Sequence, residues 1–100
     1  MARRASRVDA NQSEIANALR SAGASVHPTH MVADGFPDLA VGYRGANHLL
    51  EVKDGSKPPS KRKLTTPEQD FHAAWRGTVQ IVNNVDEALA AVGIRTKEQA

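Results

Sequence analysis

The chain has 100 residues, no cysteine, and 13 Lys+Arg against 11 Asp+Glu, a net charge of +2. That length suits one domain, residues 1–100, with a modest core, and excludes a catalytic domain joined to a separate recognition domain. The start, Met1-Ala2-Arg3-Arg4-Ala5-Ser6-Arg7, lacks the apolar stretch of a signal peptide and no later run is long enough to span a bilayer, so the expected location is cytoplasmic.

Distribution of charge says more than its total. Arg3, Arg4 and Arg7 sit in an amino-terminal arm, residues 1–8, that reads either as a solvated tail or as a phosphate contact. A helix is expected from Asp9 or Asn11 to Ser21, because Ile15, Ala18, Leu19 and Ala22 fall at helical spacing and Gly23 is a natural stop. Glu14 falls in its first turn, where an acid suits the helix dipole. Ala24 to Val32 reads as a strand interrupted by Pro28, which argues for an edge position or a bulge. His27 and His30 have no further ligands at zinc-site spacing and read as ordinary histidines. Ala33-Asp34-Gly35 is a turn; Asp34 reads as a turn residue, with a supporting acid near a site as the other reading.

The stretch Gly35 to Lys53 organises the rest. It comprises Gly35-Phe36-Pro37-Asp38-Leu39-Ala40-Val41-Gly42, a polar loop over Tyr43-Arg44-Gly45-Ala46-Asn47, and His48-Leu49-Leu50-Glu51-Val52-Lys53. Side chains alternate across a strand, so Asp38, Ala40 and Gly42 share one face and Leu39, Val41 and Tyr43 the other. The same rule puts Leu49, Glu51 and Lys53 opposite His48, Leu50 and Val52. Antiparallel pairing brings Asp38 toward Glu51, and two like charges so placed repel unless a cation lies between them. Small residues beside them leave room for a ligand. One carboxylate from each strand with an open side is what Mg²⁺ accepts, since it keeps several waters and binds one or two carboxylates plus phosphate oxygens. With Lys53 beside them to orient an attacking water, these are the parts for hydrolysis of a phosphodiester.

After Lys53 comes a loop of breakers and cations, in which Lys57, Lys61, Arg62 and Lys63 either are simply solvated or lie along a DNA backbone next to the site. Thr66-Pro67-Glu68-Gln69 then opens a helix, with Thr66 expected as N-cap, Pro67 at the first position and Gln69 completing a capping box. Phe71, Ala74 and Trp75 form its apolar stripe, with Trp75 expected in the core and Gly77 as the stop. His72 lies off that stripe and is given no catalytic role. Thr78 to Val82 is expected as a strand parallel to the Glu51 strand through a right-handed crossover. Asn84 caps a last helix with Glu87 in the box position, Gly93 ends it, and residues 95–100 form a frayed tail. The order is αβββαβα, an α/β chain with a small mixed sheet flanked by helices.

Pro37-Asp38 followed by Glu51-Val52-Lys53 resembles the PD-(D/E)XK nuclease superfamily. Gly35-Phe36-Pro37-Asp38-Leu39, Glu51-Val52-Lys53 and Leu64-Thr65-Thr66-Pro67-Glu68-Gln69 look most like its VRR-NUC (virus-type replication-repair nuclease) family, over about Glu14 to Asn83. The resemblance implies a restriction-endonuclease-like core and a Mg²⁺-dependent DNA endonuclease, with Mn²⁺ able to substitute. Asp38, Glu51 and the Val52 backbone carbonyl would bind metal, with Glu14 as a further candidate ligand. Lys53 would position and activate the water, and Gln69 would point back toward it. Stand-alone viral members are similar to Holliday junction resolvases that act as dimers, which implies a homodimer on four-way junctions; flap or other branched DNA is the alternative. A non-catalytic DNA-binding module and a plain domain with a structural ion cluster at Asp38, Glu51 and Lys53 are the competing readings.

Overall fold

Helix α1, Ala10–Ser21, is laid against a sheet because Ile15, Ala16 and Leu19 repeat at helical spacing and are all buried, with Gln12 buried on the same face. The computed structural model describes residues 10–95; the arm bearing Arg3, Arg4 and Arg7 and the end of the chain from 96 lie outside the described residues. Strands β1, Ser25–Pro28, β2, Leu39–Tyr43, β3, Ala46–Val52, and β4, Val79–Val82, form one mixed sheet in the order β1-β2-β3-β4. The first three run antiparallel and β4 lies parallel to β3. Helix α2, Thr66–Ala74, and helix α3, Val85–Ala91, complete the expected order.

The strand alternation places the core. Leu39 pairs with Leu50 and Val52 with Val82, and these four, with Val41, face α1 and α3. Ala88, Val92 and Ile94 close this core from the α3 side. The opposite face carries Ala40, Gly42, Leu49 and Glu51, and a hollow of about 360 Å³ opens over its β1 end, bordered by Ser25, His27, Ala40, Gly42 and Asn47.

Several boundaries differ from expectation, each for a local reason. The first strand ends at Pro28 rather than Val32, because Pro28 sits on the sheet edge and the chain then turns through a Val32 N–H to Thr29 carbonyl bond. Met31 and Val32 are left exposed. The loop after β2 is only Arg44-Gly45: both residues have positive φ, 51° and 81°, so the hairpin closes in two residues and β3 starts at Ala46 instead of His48. Helix α2 starts one residue early, with Thr65 as N-cap, and ends at Ala74 rather than Gly77.

The largest departure is where α2 packs. It buries no residue, and Trp75 is 42% exposed rather than in the core. Its stripe meets the loop before β2: Phe71 stands edge-on to Phe36 with centroids 5.2 Å apart and stacks on Trp75 at 4.9 Å. The helix can come this close because Gly35 has no side chain. A Cβ there would run into the Pro67 backbone carbonyl, and its φ of 77° already disfavours any other residue.

This contact separates two glycines that both have positive φ. Gly45→Ala meets no neighbouring atom, so it should cost only the left-handed penalty of about 1 kcal/mol. Gly35→Ala must also push α2 away, and should lower the melting temperature at least about twice as far, from a baseline of roughly 4–8 °C per kcal/mol. Equal shifts in thermal melts of the two variants would contradict the close packing of α2 on Gly35.

Candidate active site

Asp38 lies just outside β2, in a twist of the backbone. Its N–H donates to the Leu50 carbonyl on β3 at 3.0 Å, while its carbonyl accepts from the Thr29 N–H at 2.7 Å on the β1 side. A residue in a regular strand sends both groups the same way. The twist aims the carboxylate along β3, where Oδ2 accepts the Val52 N–H at 2.8 Å. The Thr29 hydroxyl, donating to the Pro37 carbonyl at 2.7 Å, holds the loop in that position.

Glu51 is the neighbour of Asp38 across the ladder and is only 2% exposed. Its carboxyl and that of Asp38 disfavour each other's charge, and Glu51 Oε1 is buried with no partner. Burial first, then the charges of Asp38 and Glu68, push the Glu51 carboxyl up to about 9, against the opposing pull of Lys53. Asp38 is raised in the same sense, by burial above all, although the Val52 N–H draws it back.

Lys53 continues the Glu51 face. Its N–H donates to the Val82 carbonyl at 2.9 Å and its own carbonyl accepts from Asn11 Nδ2 at 2.6 Å, which fixes its main chain from both sides. Its ammonium lies 3.7 Å from Glu51 Oε2 and 2.9 Å from Glu68 Oε1. Burial works against the ammonium, but Glu68 by hydrogen bond and charge, then Glu51 and Asp38, outweigh it and hold the amine above its ordinary value.

Glu68 is the residue that sequence reasoning missed. The run Thr65-Thr66-Pro67-Glu68-Gln69 contains two overlapping capping boxes, and the structure uses Thr65 with Glu68 rather than Thr66 with Gln69. The Thr65 hydroxyl accepts the Glu68 N–H at 3.3 Å and Glu68 Oε1 accepts the Thr65 N–H at 2.8 Å. The available signal was charge, since a carboxylate suits a helix N-terminus better than a neutral amide. Burial raises the Glu68 carboxyl, but the Thr65 N–H and Lys53 outweigh it and leave it below its ordinary value.

Asp38, Glu51 and Lys53 are thus brought together as expected. Gln69 is not with them: it is exposed and donates to the Leu64 carbonyl at 3.1 Å. Glu14 is exposed in the second turn of α1 and borders a polar hollow with Asn11, Asp54, Gly55, Ser56, Asn83 and Asn84, a lining that lacks Asp38, Glu51 and Lys53. His30 contacts Gln12 at 3.2 Å, so it is held on α1. The basic loop winds through a short 3₁₀ turn, Pro59–Lys61, that keeps Lys57, Lys61 and Lys63 exposed, while Arg62 folds back on the Lys57 carbonyl at 2.7 Å.

Among the described residues no group of three or more His, Cys, Asp or Glu forms a ready-made metal cage. The donors of the pair nevertheless fit a hard divalent cation that needs only one or two carboxylates. Glu51 has an unpartnered oxygen, the two acids disfavour each other's charge where a cation would relieve them, and the Val52 carbonyl leaves its strand on the same side as the N–H that Asp38 binds. The chain matches no family model, no curated protein and no solved structure. Among the described residues no helix is long and apolar enough to cross a membrane.

The raised acids set a pH dependence. Glu51 titrates near 4.5 when unfolded and near 9 when folded, so the folded state holds the extra proton in between and stability falls as pH rises through that window. Asp38 acts in the same direction, Glu68 opposes it only at the acid end, and Lys53 matters only above its ordinary value. In a chelator, the melting temperature should fall from about pH 5 to about pH 9, and Glu51→Gln, which cannot ionise, should flatten that slope and melt higher than wild type at the alkaline end. Parallel slopes for the two proteins would show that Glu51 is not the titrating group.

Proposed function

We propose that the protein is a Mg²⁺-dependent, structure-selective DNA endonuclease with the PD-(D/E)XK site arrangement of the VRR-NUC family. The observation that carries this reading is the Asp38–Glu51 pair, two acids brought together from the start of β2 and the end of β3, one of them buried with an unpartnered oxygen, beside an ammonium. A cluster that served only to stabilise the fold would be served as well by apolar residues. A buried acid raised as far as Glu51, beside a second acid and an ammonium, is instead a mark of chemistry.

Asp38, Glu51 and the Val52 carbonyl would hold the metal. Mg²⁺ or Mn²⁺ there supplies an acidified water and neutralises charge building on the scissile phosphate. Lys53, held as an ammonium, cannot take a proton in this state; it donates hydrogen bonds, orients the attacking water and stabilises negative charge on the phosphate. The loop with Lys57, Lys61, Arg62 and Lys63 follows directly on Lys53, just past the end of β3, and grips the DNA backbone. It reads shape rather than bases, because its single 3₁₀ turn is no helix or ribbon free to enter a major groove.

Lys53→Ala should lower cleavage of supercoiled plasmid in Mg²⁺ by about 100-fold or more, the scale of a lost charge-stabilising donor, while binding to DNA stays near wild type. Asp38→Ala should lose cleavage and also weaken metal binding in a calorimetric titration. Near-normal turnover by either variant would remove the catalytic assignment.

A site of this kind cuts one strand, so symmetric cleavage of a four-way junction calls for two copies about a two-fold axis. The protein is therefore a homodimer acting on junctions in this proposal. Mass in solution, measured beside cleavage of a four-way junction, a flap and a linear duplex of one sequence, tests it. A strict monomer, or equal cutting of the duplex, would sink the junction preference and leave the nuclease reading standing.

A further inference from the structure

We infer that Glu68 is a positioning residue, whose Oε1 holds the Lys53 ammonium in its working place by tying it to the N-terminus of α2. The inference rests on the nuclease reading of Lys53. It adds a residue to which neither the composition nor the resemblance gave a role.

One oxygen does two jobs. Glu68 Oε1 accepts the Thr65 N–H at 2.8 Å and the Lys53 ammonium at 2.9 Å. A glutamate acting only as the reciprocal half of a capping box needs the first bond and not the second. Lysine has a long stem with many rotamers, and ordering it requires a partner that is itself ordered. Its main chain is already fixed by Val82 and Asn11, but its tip is not. Glu51, at 3.7 Å, is the more distant of its two acids, so Glu68 sets where the ammonium rests.

The same helix is referenced to the other half of the site. Pro67 abuts Gly35, and Phe71 packs on Phe36, two residues before Asp38. Through α2, the tip of Lys53 is therefore registered against the loop that aims Asp38, although the two residues come from different strands. Lys53 and Thr65 also flank the basic loop, so the Glu68 oxygen closes both of its ends at once. Displacing a reacting group by about 1 Å can cost about 100-fold in rate, which is the scale on which such a tether matters.

The test compares Glu68→Ala, Glu68→Gln and Thr65→Ala with wild type by two readouts. The first is the labelling rate of Lys53 by an amine-reactive reagent in metal-free protein, read by mass spectrometry of its peptide. The second is steady-state cleavage of a four-way junction in Mg²⁺, separated into kcat and KM. Thr65→Ala removes the cap hydroxyl but leaves the carboxylate with both of its bonds, whereas Glu68→Gln keeps an acceptor oxygen and loses the charge.

Glu68→Ala should label Lys53 severalfold faster and lower kcat by about tenfold or more with KM little changed, with Glu68→Gln between it and wild type in both readouts. Thr65→Ala should lower the melting temperature but label as wild type. Unchanged labelling of Lys53 in Glu68→Ala overturns the inference, and so does a Thr65→Ala variant that matches Glu68→Ala, since Glu68 would then be only a cap. If Glu68→Ala does not fold, labelling of Glu68→Gln at the wild-type rate overturns it instead. Absence of cleavage by wild type on every DNA would defeat the nuclease reading, while the labelling rates still decide whether Glu68 holds Lys53.

Discussion

A glutamate stands, almost fully buried, at the end of the central strand, and much of the local architecture answers to it. Removing a carboxylate from water is costly unless it is paired, hydrogen-bonded or neutral. Glu51 meets that demand by keeping its proton, its carboxyl pushed up to about 9, and by lying near an ammonium. One oxygen still lacks a partner. In the nuclease proposal, that unpartnered oxygen is what a cation would take up.

Asp38 makes the pair possible only because its backbone departs from the regular ladder. Thr29 holds that departure from one side through its N–H and hydroxyl, and Leu50 holds it from the other. The carboxylate is then spent partly on the Val52 N–H, a bond that clamps the start of β2 to the end of β3. Core packing of Leu39, Val41, Leu50 and Val52 against α1 fixes the opposite face, so Glu51 is held by a rigid strand and Asp38 is anchored at the very start of the next one.

Helix α2 is fastened differently. It has no buried residue and is attached by ring contacts to Phe36, by close approach at Gly35 and by the Glu68–Lys53 bond. An element so placed contributes little to the core but sits at the site's rim, where its orientation governs Lys53. The exposed Trp75 follows from the same geometry, since its ring meets Phe36 and Phe71 rather than the core.

The order of elements, the edge position of β1, the parallel β4 and the shared face of Asp38 and Glu51 were all legible in the sequence, because they follow from period-two and helical spacing and from short connections. So was the approach of Asp38 to Glu51 and Lys53, which a hairpin and an alternation suggest, although the backbone departure that aims the Asp38 carboxylate was not. What the chain could not declare on its own was a choice between near-equal local options. Thr65 and Thr66 both offer a cap, and Glu68 and Gln69 both complete a box; the tertiary bond to Lys53 coincides with one of the two. Phe71 and Trp75 carry the stripe of a core helix, yet Phe36, from a distant loop, takes their rings and leaves the sheet uncovered there. Glu14 has the right spacing to approach the acids, but the rotation of α1 is set by Ile15 and Leu19 in the core, and that rotation turns Glu14 to the surface. Periodicity is a property of neighbours along the chain; which of two equivalent neighbours is used depends on atoms far away in sequence, and only the folded structure brings those atoms together.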